Sequence, residues 1–551
     1  MQGLMMDRPL LLSGLLEHAA RVHGDRELVS CTTDEPVHRG SYRGLALRAR
    51  RLAAALKALG VGTGDRVATL ACSTHRHLEV FYAAAGSGAV CHTINPRLHP
   101  EQIAWILDHA EDAALFVEPA FLAQTVTALA GSKRRGPLVL LTDRARMPAA
   151  DAAPACRPML CYEELLHAAA DDDAALAPWP EFDENTAAAL CYTYGTTGRP
   201  KGVLYSHRST ILHAFAVALP DVAGLCEADS VLPAAPMFHV QAWGIPYAAA
   251  LTGARLVLPG ARLHGAALAD LIEEEGVTVA LGVPTLWVGL IRFLRGEGRK
   301  LSTLKRVIVG GAACPPAMVE AFQEEFGVEC RHAWGMTEMS PLGTIATLAA
   351  SHQELPPAER TRLQAKQGRP VFGVEIKIVG DGGDAVAHDG RSIGEIKVRG
   401  PWVCRSYYRC DEAGTFDADG WLATGDLGSI DADGFLHITD RRKDLIKCAG
   451  EWISSVEIET IAIEHPAVMQ AAAIGVPDEK WGERPLLIVV PEPGYTVCEG
   501  EIRALYETRV PKWGIPARIV CIDSLPVSAT GKVQKNVLRE RYGKTAARNR
   551  P

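Results

Sequence analysis

Residues Tyr192 to Gly202 read YTYGTTGRPKG and directly follow the apolar run Ala187 to Cys191. Glycines at 195, 198 and 202 allow positive φ and a close approach of backbone to a bound group. Thr193, Thr196 and Thr197 add hydroxyls, and Lys201 adds a cation. Backbone N–H groups, hydroxyls and one ammonium together make a cradle suited to a polyphosphate. The spacing G-x-x-G-x-x-K-G, with Pro200 before the lysine and no Ser or Thr after it, is not that of a Walker loop.

Further strings offer compatible chemistry. VGGAA (Val309 to Ala313) precedes WGMTE (Trp334 to Glu338). An aromatic face suits a purine, and a hard carboxylate oxygen suits magnesium beside a phosphate. Thr424-Gly425-Asp426 places a carboxylate on a turn, where it can accept hydrogen bonds from hydroxyls. Asp440 to Ser454 (DRRKDLIKCAGEWIS) reads as a basic loop entering a helix, and Pro526 to Lys532 (PVSATGK) ends on one more cation. In Pro236 to Tyr247 (PMFHVQAWGIPY), no charge interrupts the stretch from Ala242 to Thr252. An apolar lining suits an alkyl chain, each buried CH₂ contributing ~0.8 kcal/mol. It does not suit an amino acid, whose ammonium needs a buried acidic partner.

These groups need a layered scaffold. Strand-like runs at Arg66 to Cys72, Ala89 to Ile94, Val277 to Gly282, Arg306 to Gly310 and Val328 to His332 alternate with helix-like spacing at His75 to Gly88, Leu268 to Glu275 and Pro315 to Phe326. That rhythm predicts an α/β fold with mostly parallel sheets and ligands at loops leaving the strand ends. Asp171 to Glu184 reads as a surface linker. Gly373 to Tyr408 reads as short β runs of a small barrel or antiparallel sheet, and the chain beyond Asp440 as a compact α+β unit. The expected division is therefore 1–440 and 441–551.

The 551 residues carry 57 Lys+Arg against 65 Asp+Glu, a net charge of −8, which excludes a generally basic nucleic-acid surface. Hydrophobic residues at 48% and charged residues at 22% fit an ordinary globular chain rather than a disordered one. No run approaches the ~18–20 apolar residues of a membrane helix; Leu10 to Leu16 reads as one face of an amphipathic helix, and no secretory leader is expected. Fourteen cysteines without a CxxC pair predict small buried thiols in a reducing, cytoplasmic setting.

The five strings at 192–202, 334–338, 424–426, 440–454 and 526–532 together resemble the motifs of the adenylate-forming superfamily, which includes acyl-CoA synthetases, firefly luciferase and peptide-synthetase adenylation domains. They run in that family's order along nearly the whole chain, with Tyr194 where the family's loop usually has serine and Ala449 where it often has glycine. The resemblance implies a large N-terminal domain of α/β layers with a small β-barrel-like subdomain, and a small mobile α+β C-terminal domain. It implies ATP and coenzyme A as co-substrates, Mg²⁺ as cofactor and a carboxylic acid as the third partner, without nucleic acid or a membrane span. A homodimer is among the family's usual forms.

By the same resemblance, Lys532 is the adenylation lysine. Thr193, Gly195, Thr196, Thr197, Gly198 and Lys201 cradle phosphates, and Trp334 stacks near the adenine. Gly311, Ala312, His332, Ala333, Gly335 and Thr337 complete the nucleotide contacts, while Thr196 and Glu338 hold the metal. Asp426 and Arg441 meet the ribose, Lys443 is the hinge position and Lys447 lies near the nucleotide. Gly450 and Trp452 border the coenzyme A channel. His239, Val240 and Trp243 form the acid gate, with His239 near the reacting carboxylate. The gate string FHVxAWxxPY is similar to that of long- and medium-chain fatty acyl-CoA synthetases and of methylthiopropionate-CoA ligases. An AMP-forming fatty acyl-CoA ligase is the leading expectation. A ligase for a short thioether acid, a luciferase-like oxygenase and a non-catalytic nucleotide sensor are the alternatives.

Overall fold

A computed structural model describes residues 1, 3–33, 37–149, 159–170, 177–193, 199–380, 382–410, 414–448, 451–478, 481–527 and 533–543. Contacts divide the chain into two units. The first comprises Met1–Ala365, Arg369–Val374 and Gly400–Ala413; the second comprises Lys366–Gly368, Glu375–Arg399 and Gly414–Pro551.

The first unit is built on two sheets. One runs in the order Met159–Cys161, Leu138–Leu140, Asp112–Val117, Arg66–Leu70, Val90–Thr93, Ala187–Thr193, Lys201–Ser206, parallel except for the last strand. The other has a parallel centre, Glu329–Gly335, Arg306–Gly310, Val279–Gly282, Ser230–Pro233, Arg255–Leu258 and Glu27–Ser30, with antiparallel strands at its edges. Parallel neighbours require crossovers, and the helices that supply them cover both faces, so the central strands are apolar along their length. Val279–Gly282 is buried throughout. Around it pack Val29, Leu232, Val257, Leu271, Val307, Trp287 and Phe322, the last two edge-to-face at 5.8 Å.

The second unit holds a four-stranded antiparallel sheet, Glu375–Val379, Gly394–Arg399, Leu422–Ile430 and Leu436–Arg441. It also holds a sheet around Val468–Asp478 and Gly482–Pro491, joined by Ile446–Cys448, Glu451–Ile453 and Arg518–Cys521. Helix Ser455–Ile463 packs Ile458 and Ile461 against Leu487 and Val489, and helix Lys535–Tyr542 packs Leu538 against Ile474 and Ile488. Asp440 fixes the first helix: its Oδ2 accepts from the backbone N and the Oγ of Ser455, both at 2.6 Å. An anion at a helix N-terminus meets the unpaired N–H groups and the positive end of the dipole.

The α/β class, the amphipathic N-terminal helix (Leu12–Val22) and the alternating strands and helices are as the sequence predicts. Three readings are corrected. Residues Glu375–Val379 and Gly394–Arg399 form the antiparallel strands expected of Gly373 to Tyr408, but the stretch is divided: Glu375–Arg399 joins the second unit, whereas Gly400–Ala413 packs with the first. Within the stretch read as a linker, Trp179 is docked. Its indole donates to Glu17 Oε1 at 3.0 Å and lies 5.1 Å under the Arg50 guanidinium, because a large aromatic surface favours burial over exposure. Among the cysteines, Cys226, Cys498 and Cys521 are exposed rather than buried, and all the described cysteines are free thiols. Among the described residues, no helix is long and apolar enough to cross a membrane.

Candidate active site

The antiparallel pairing of Ala187–Thr193 with Lys201–Ser206 sets Thr193 opposite Lys201 and Tyr192 opposite Gly202. Both ends of the glycine loop therefore stand side by side at a sheet edge. Tyr194, Gly195, Thr196, Thr197 and Gly198 lie outside the described residues. The Tyr192 hydroxyl bonds His109 Nδ1 at 2.7 Å. A Cβ on Gly202 would stand 3.1 Å from Tyr408 Cβ and 3.2 Å from a Leu190 methyl, so the strand leaving the loop is closely packed there.

In the second sheet of this unit, Arg306–Gly310 runs parallel to Glu329–Gly335, with Val309 opposite His332 and Gly310 opposite Ala333. The VGG turn and the HAWG strand end are thereby neighbours. Gly311 (φ +82°) and Ala312 are exposed beside half-buried Ala333 and Trp334. Buried His332 ties the two segments: Nδ1 lies 2.9 Å from the Ala365 carbonyl and Nε2 3.3 Å from that of Ala312. A Cβ on Gly335 would stand 1.7 Å from the Pro341 carbonyl oxygen, a clash with rigid backbone. Gly335→Ala is expected to lower stability by about 3 kcal/mol, read as a fall in the midpoint of thermal unfolding; an unchanged midpoint would show that this turn yields.

Thr337 and Glu338 follow that turn. The Thr337 carbonyl accepts the Tyr205 hydroxyl at 2.6 Å. Glu338 is buried, its Oε1 accepting the Tyr407 hydroxyl at 2.7 Å and its carbonyl accepting the Cys404 N–H at 2.8 Å. Among the described residues, no three His, Cys, Asp or Glu side chains cluster for a metal. One carboxylate fits magnesium nonetheless, since that ion takes most of its ligands from substrate phosphates and water.

The gate segment has an unusual backbone. Val240, Gln241, Ala242 and Trp243 have φ of 47°, 50°, 52° and 58°, and Gly244 follows at 74°. This is a left-handed turn of non-glycine residues, each at a cost of ~1–2 kcal/mol. It begins after half-buried His239 and is closed by hydrogen bonds from Ala242 N to His239 O and from Gly244 N to Gln241 O. Its effect is to lay the Trp243 indole on the VGG turn: a Cβ on Gly310 would stand 3.2 Å from Trp243 Cη2. At Gly244 a Cβ would stand 2.6 Å from His213 Nδ1. Burial pushes the His213 imidazole down to about 3, so it is neutral, and its Nε2 accepts from Leu342 N at 3.3 Å. Helix Ile245–Thr252 follows, buried from Ile245 to Ala250.

In the first unit, Lys201 and Glu338 both touch Tyr407, and Trp243 lies on the Gly310–Gly311 turn beside the strand that carries Trp334. In the second unit, Asp426 and Arg441 are directly opposed across two strands and paired at 3.2 Å. Asp426 is buried, and Gly425 before it takes φ +75° within the strand Leu422–Ile430, so the Thr424-Gly425-Asp426 string lies in a strand and not in the turn its residue types suggest. Lys443 has its ammonium pKa lowered by burial and by the nearby Arg441 charge. Lys447 and Trp452 pair across the ribbon Ile446–Cys448 and Glu451–Ile453, the ammonium 5.3 Å from the ring centre. Gly450 and Lys532 lie outside the described residues. Tyr205, His213 and Tyr407, which hold these groups, carry no motif that marks them in the sequence.

Two family models match the chain. That of the AMP-binding enzyme covers residues 16–408, and that of the AMP-binding enzyme C-terminal domain covers 457–532. The chain belongs to the AMP-binding enzyme family. It is 49% identical to a 3-methylmercaptopropionyl-CoA ligase of Ruegeria lacuscaerulensis over 98% of this chain and 99% of the relative. It is 48% identical to a medium-chain-fatty-acid–CoA ligase of Ectopseudomonas oleovorans over 98% of each. Among solved structures, the anthranilate CoA ligase AuaEII in complex with anthranoyl-AMP shares the fold, with a TM-score of 0.85 at 24% identity over 98% of this chain and 99% of that one. The adenylate-forming family predicted from the five strings is the family found, and both expected ligase types are among the relatives.

Proposed function

We propose that this chain is an ATP-dependent, AMP-forming acyl-CoA ligase acting on a medium- or long-chain fatty acid. The observation that carries the choice of acid is the uncharged stretch from Ala242 to Thr252, buried from Ile245 to Ala250, with Trp243 lying on the Gly310–Gly311 turn. In the first half-reaction, a carboxylate oxygen bonds the α-phosphorus of ATP while the bond to pyrophosphate breaks. Lys201 and the glycine loop hold the phosphates, Trp334 the adenine, Asp426 and Arg441 the ribose, and Lys532 the charge that builds on the α-phosphate. Thr196 and Glu338 would hold Mg²⁺, which neutralises phosphate charge when bound. In the second, coenzyme A thiolate bonds the acyl carbon and AMP leaves. Catalysis is then positioning and charge stabilisation without a protein nucleophile. In this reading residues 441–551 form a lid turning near Lys443, so that one chain serves both steps; Gly450 and Trp452 border the thiol's path. The enzyme works in the cytoplasm, as a monomer or homodimer.

A second reading, a short thioether acid such as 3-methylmercaptopropionate, has one structural observation in its favour. Gln241 is buried in the gate turn, its Oε1 accepting the Tyr247 hydroxyl at 3.1 Å while its Nε2 has no partner among the described residues. A buried donor of this kind favours an acid with a polar atom in its chain. AMP release across thioether, medium, long and aromatic acids decides between them: highest kcat/KM on plain alkyl acids supports the first reading, and on the thioether acid the second. Trp243→Ala is expected to change chain-length preference by about tenfold while KM for ATP moves less than twofold. An unchanged acid profile would return Trp243 to a packing role.

A further inference from the structure

We propose that Tyr407 is a positioning residue that sets the distance between the metal-binding carboxylate and the phosphate-loop cation. Its hydroxyl donates to Glu338 Oε1 at 2.7 Å, and the ammonium of Lys201 lies 4.9 Å from the centre of its ring. One side chain therefore touches both groups, although 69 residues separate it from Glu338. It is itself held: Tyr407 is 8% exposed.

The backbone around Tyr407 is a strap bonded to the same two elements. Trp402 Nε1 donates to the Leu342 carbonyl at 2.9 Å, and Ser340 Oγ donates to the Trp402 carbonyl at 3.0 Å. Cys404 N–H donates to the Glu338 carbonyl, and Tyr408 N–H donates to the Gly202 carbonyl, both at 2.8 Å. Between those last two anchors stands Tyr407. The strap is pinned beside the carboxylate at one end and beside the exit of the glycine loop at the other.

The chemistry of the two contacts explains the choice of tyrosine. The terminal torsion of a glutamate is soft, so its carboxylate plane is undefined until a donor fixes it; a phenol does so with a short, charge-assisted bond. A lysine has many rotamers, and the face of an aromatic ring restricts them by cation–π attraction. Contacts that hold both side chains before a triphosphate arrives lower the reorganisation its binding requires.

The inference rests on the ligase reading, since Glu338 and Lys201 have these duties only if a metal–triphosphate binds there. The test compares wild type, Tyr407→Phe and Tyr407→Leu in the full-length protein. Mn²⁺ binding with α,β-methylene-ATP is followed by electron paramagnetic resonance, AMP binding without metal by calorimetry, and KM for Mg·ATP by pyrophosphate release. Tyr407→Phe keeps the ring and removes the hydroxyl: Mn²⁺ affinity is expected to fall about tenfold and KM for Mg·ATP to rise several-fold, with AMP affinity within twofold of wild type. Tyr407→Leu also removes the ring and is expected to weaken binding of the metal-free triphosphate analogue several-fold. Mn²⁺ affinity in Tyr407→Phe within twofold of wild type would overturn the proposal. So would an equal loss of AMP and Mn²⁺ binding, the mark of a general packing defect. Wild-type protein that releases no pyrophosphate with any acid would refute the ligase reading itself, an outcome distinct from both.

Discussion

Replacing Lys532 by alanine is expected to lower the rate of acyl-adenylate formation by about 10²–10³-fold, the usual effect of removing one preorganised charge from a transition state. The proposed first step concentrates negative charge on the α-phosphate as the carboxylate oxygen approaches, and Lys532 is the cation assigned to meet it. The thiolate attack on the adenylate does not build that charge, so thioester formation from supplied acyl-adenylate is expected to stay within about threefold of wild type. Measuring both half-reactions on one preparation separates the two steps. Equal loss in both would contradict the assignment of Lys532 to adenylation alone.

Glu338→Gln is expected to lower kcat/KM for Mg·ATP by about 100-fold, with part of the loss recovered at high Mg²⁺. Glu338 is 4% exposed, and its Oε1 accepts from Tyr407 at 2.7 Å. Glutamine keeps the shape and can still accept from that hydroxyl, so the fold is expected to be kept while the negative charge is lost. A magnesium ion that relies on few protein ligands is sensitive to each of them. A Mg²⁺ titration of initial rates, with an unfolding curve as control, reads both effects. Unchanged Mg²⁺ dependence would remove Glu338 from the metal's ligands.

The parts of the site that are legible in the sequence are those carried by contiguous residues. The glycine loop, the VGG turn and the WGMTE string each read as a local unit, and the strands before them announce themselves as short apolar runs because parallel strands are buried on both faces. What was not legible depends on contacts between distant residues or on backbone that side chains do not specify. Tyr205 reaches Thr337 across 132 residues, and nothing near Tyr205 marks it. The left-handed turn at Val240–Trp243 is contrary to local preference, above all at β-branched Val240. Gly244 is its one local signal, and the neighbours that impose it, His213 and Gly310, are remote in the chain. The stretch Glu375–Arg399 joins the second unit through strand pairings such as Lys397 with Ala423, which composition does not reveal. Trp179 stood in a stretch whose average character is that of a linker, and one aromatic side chain decided its packing.

Exchange of labelled pyrophosphate into ATP, measured without coenzyme A, tests the central claim most directly. It reports only the reversible joining of a carboxylate to the nucleotide. Exchange that depends on an added alkyl acid and on Mg²⁺, followed by thioester and AMP once coenzyme A is supplied, is the predicted result. Nucleotide binding without exchange for any acid offered would contradict it.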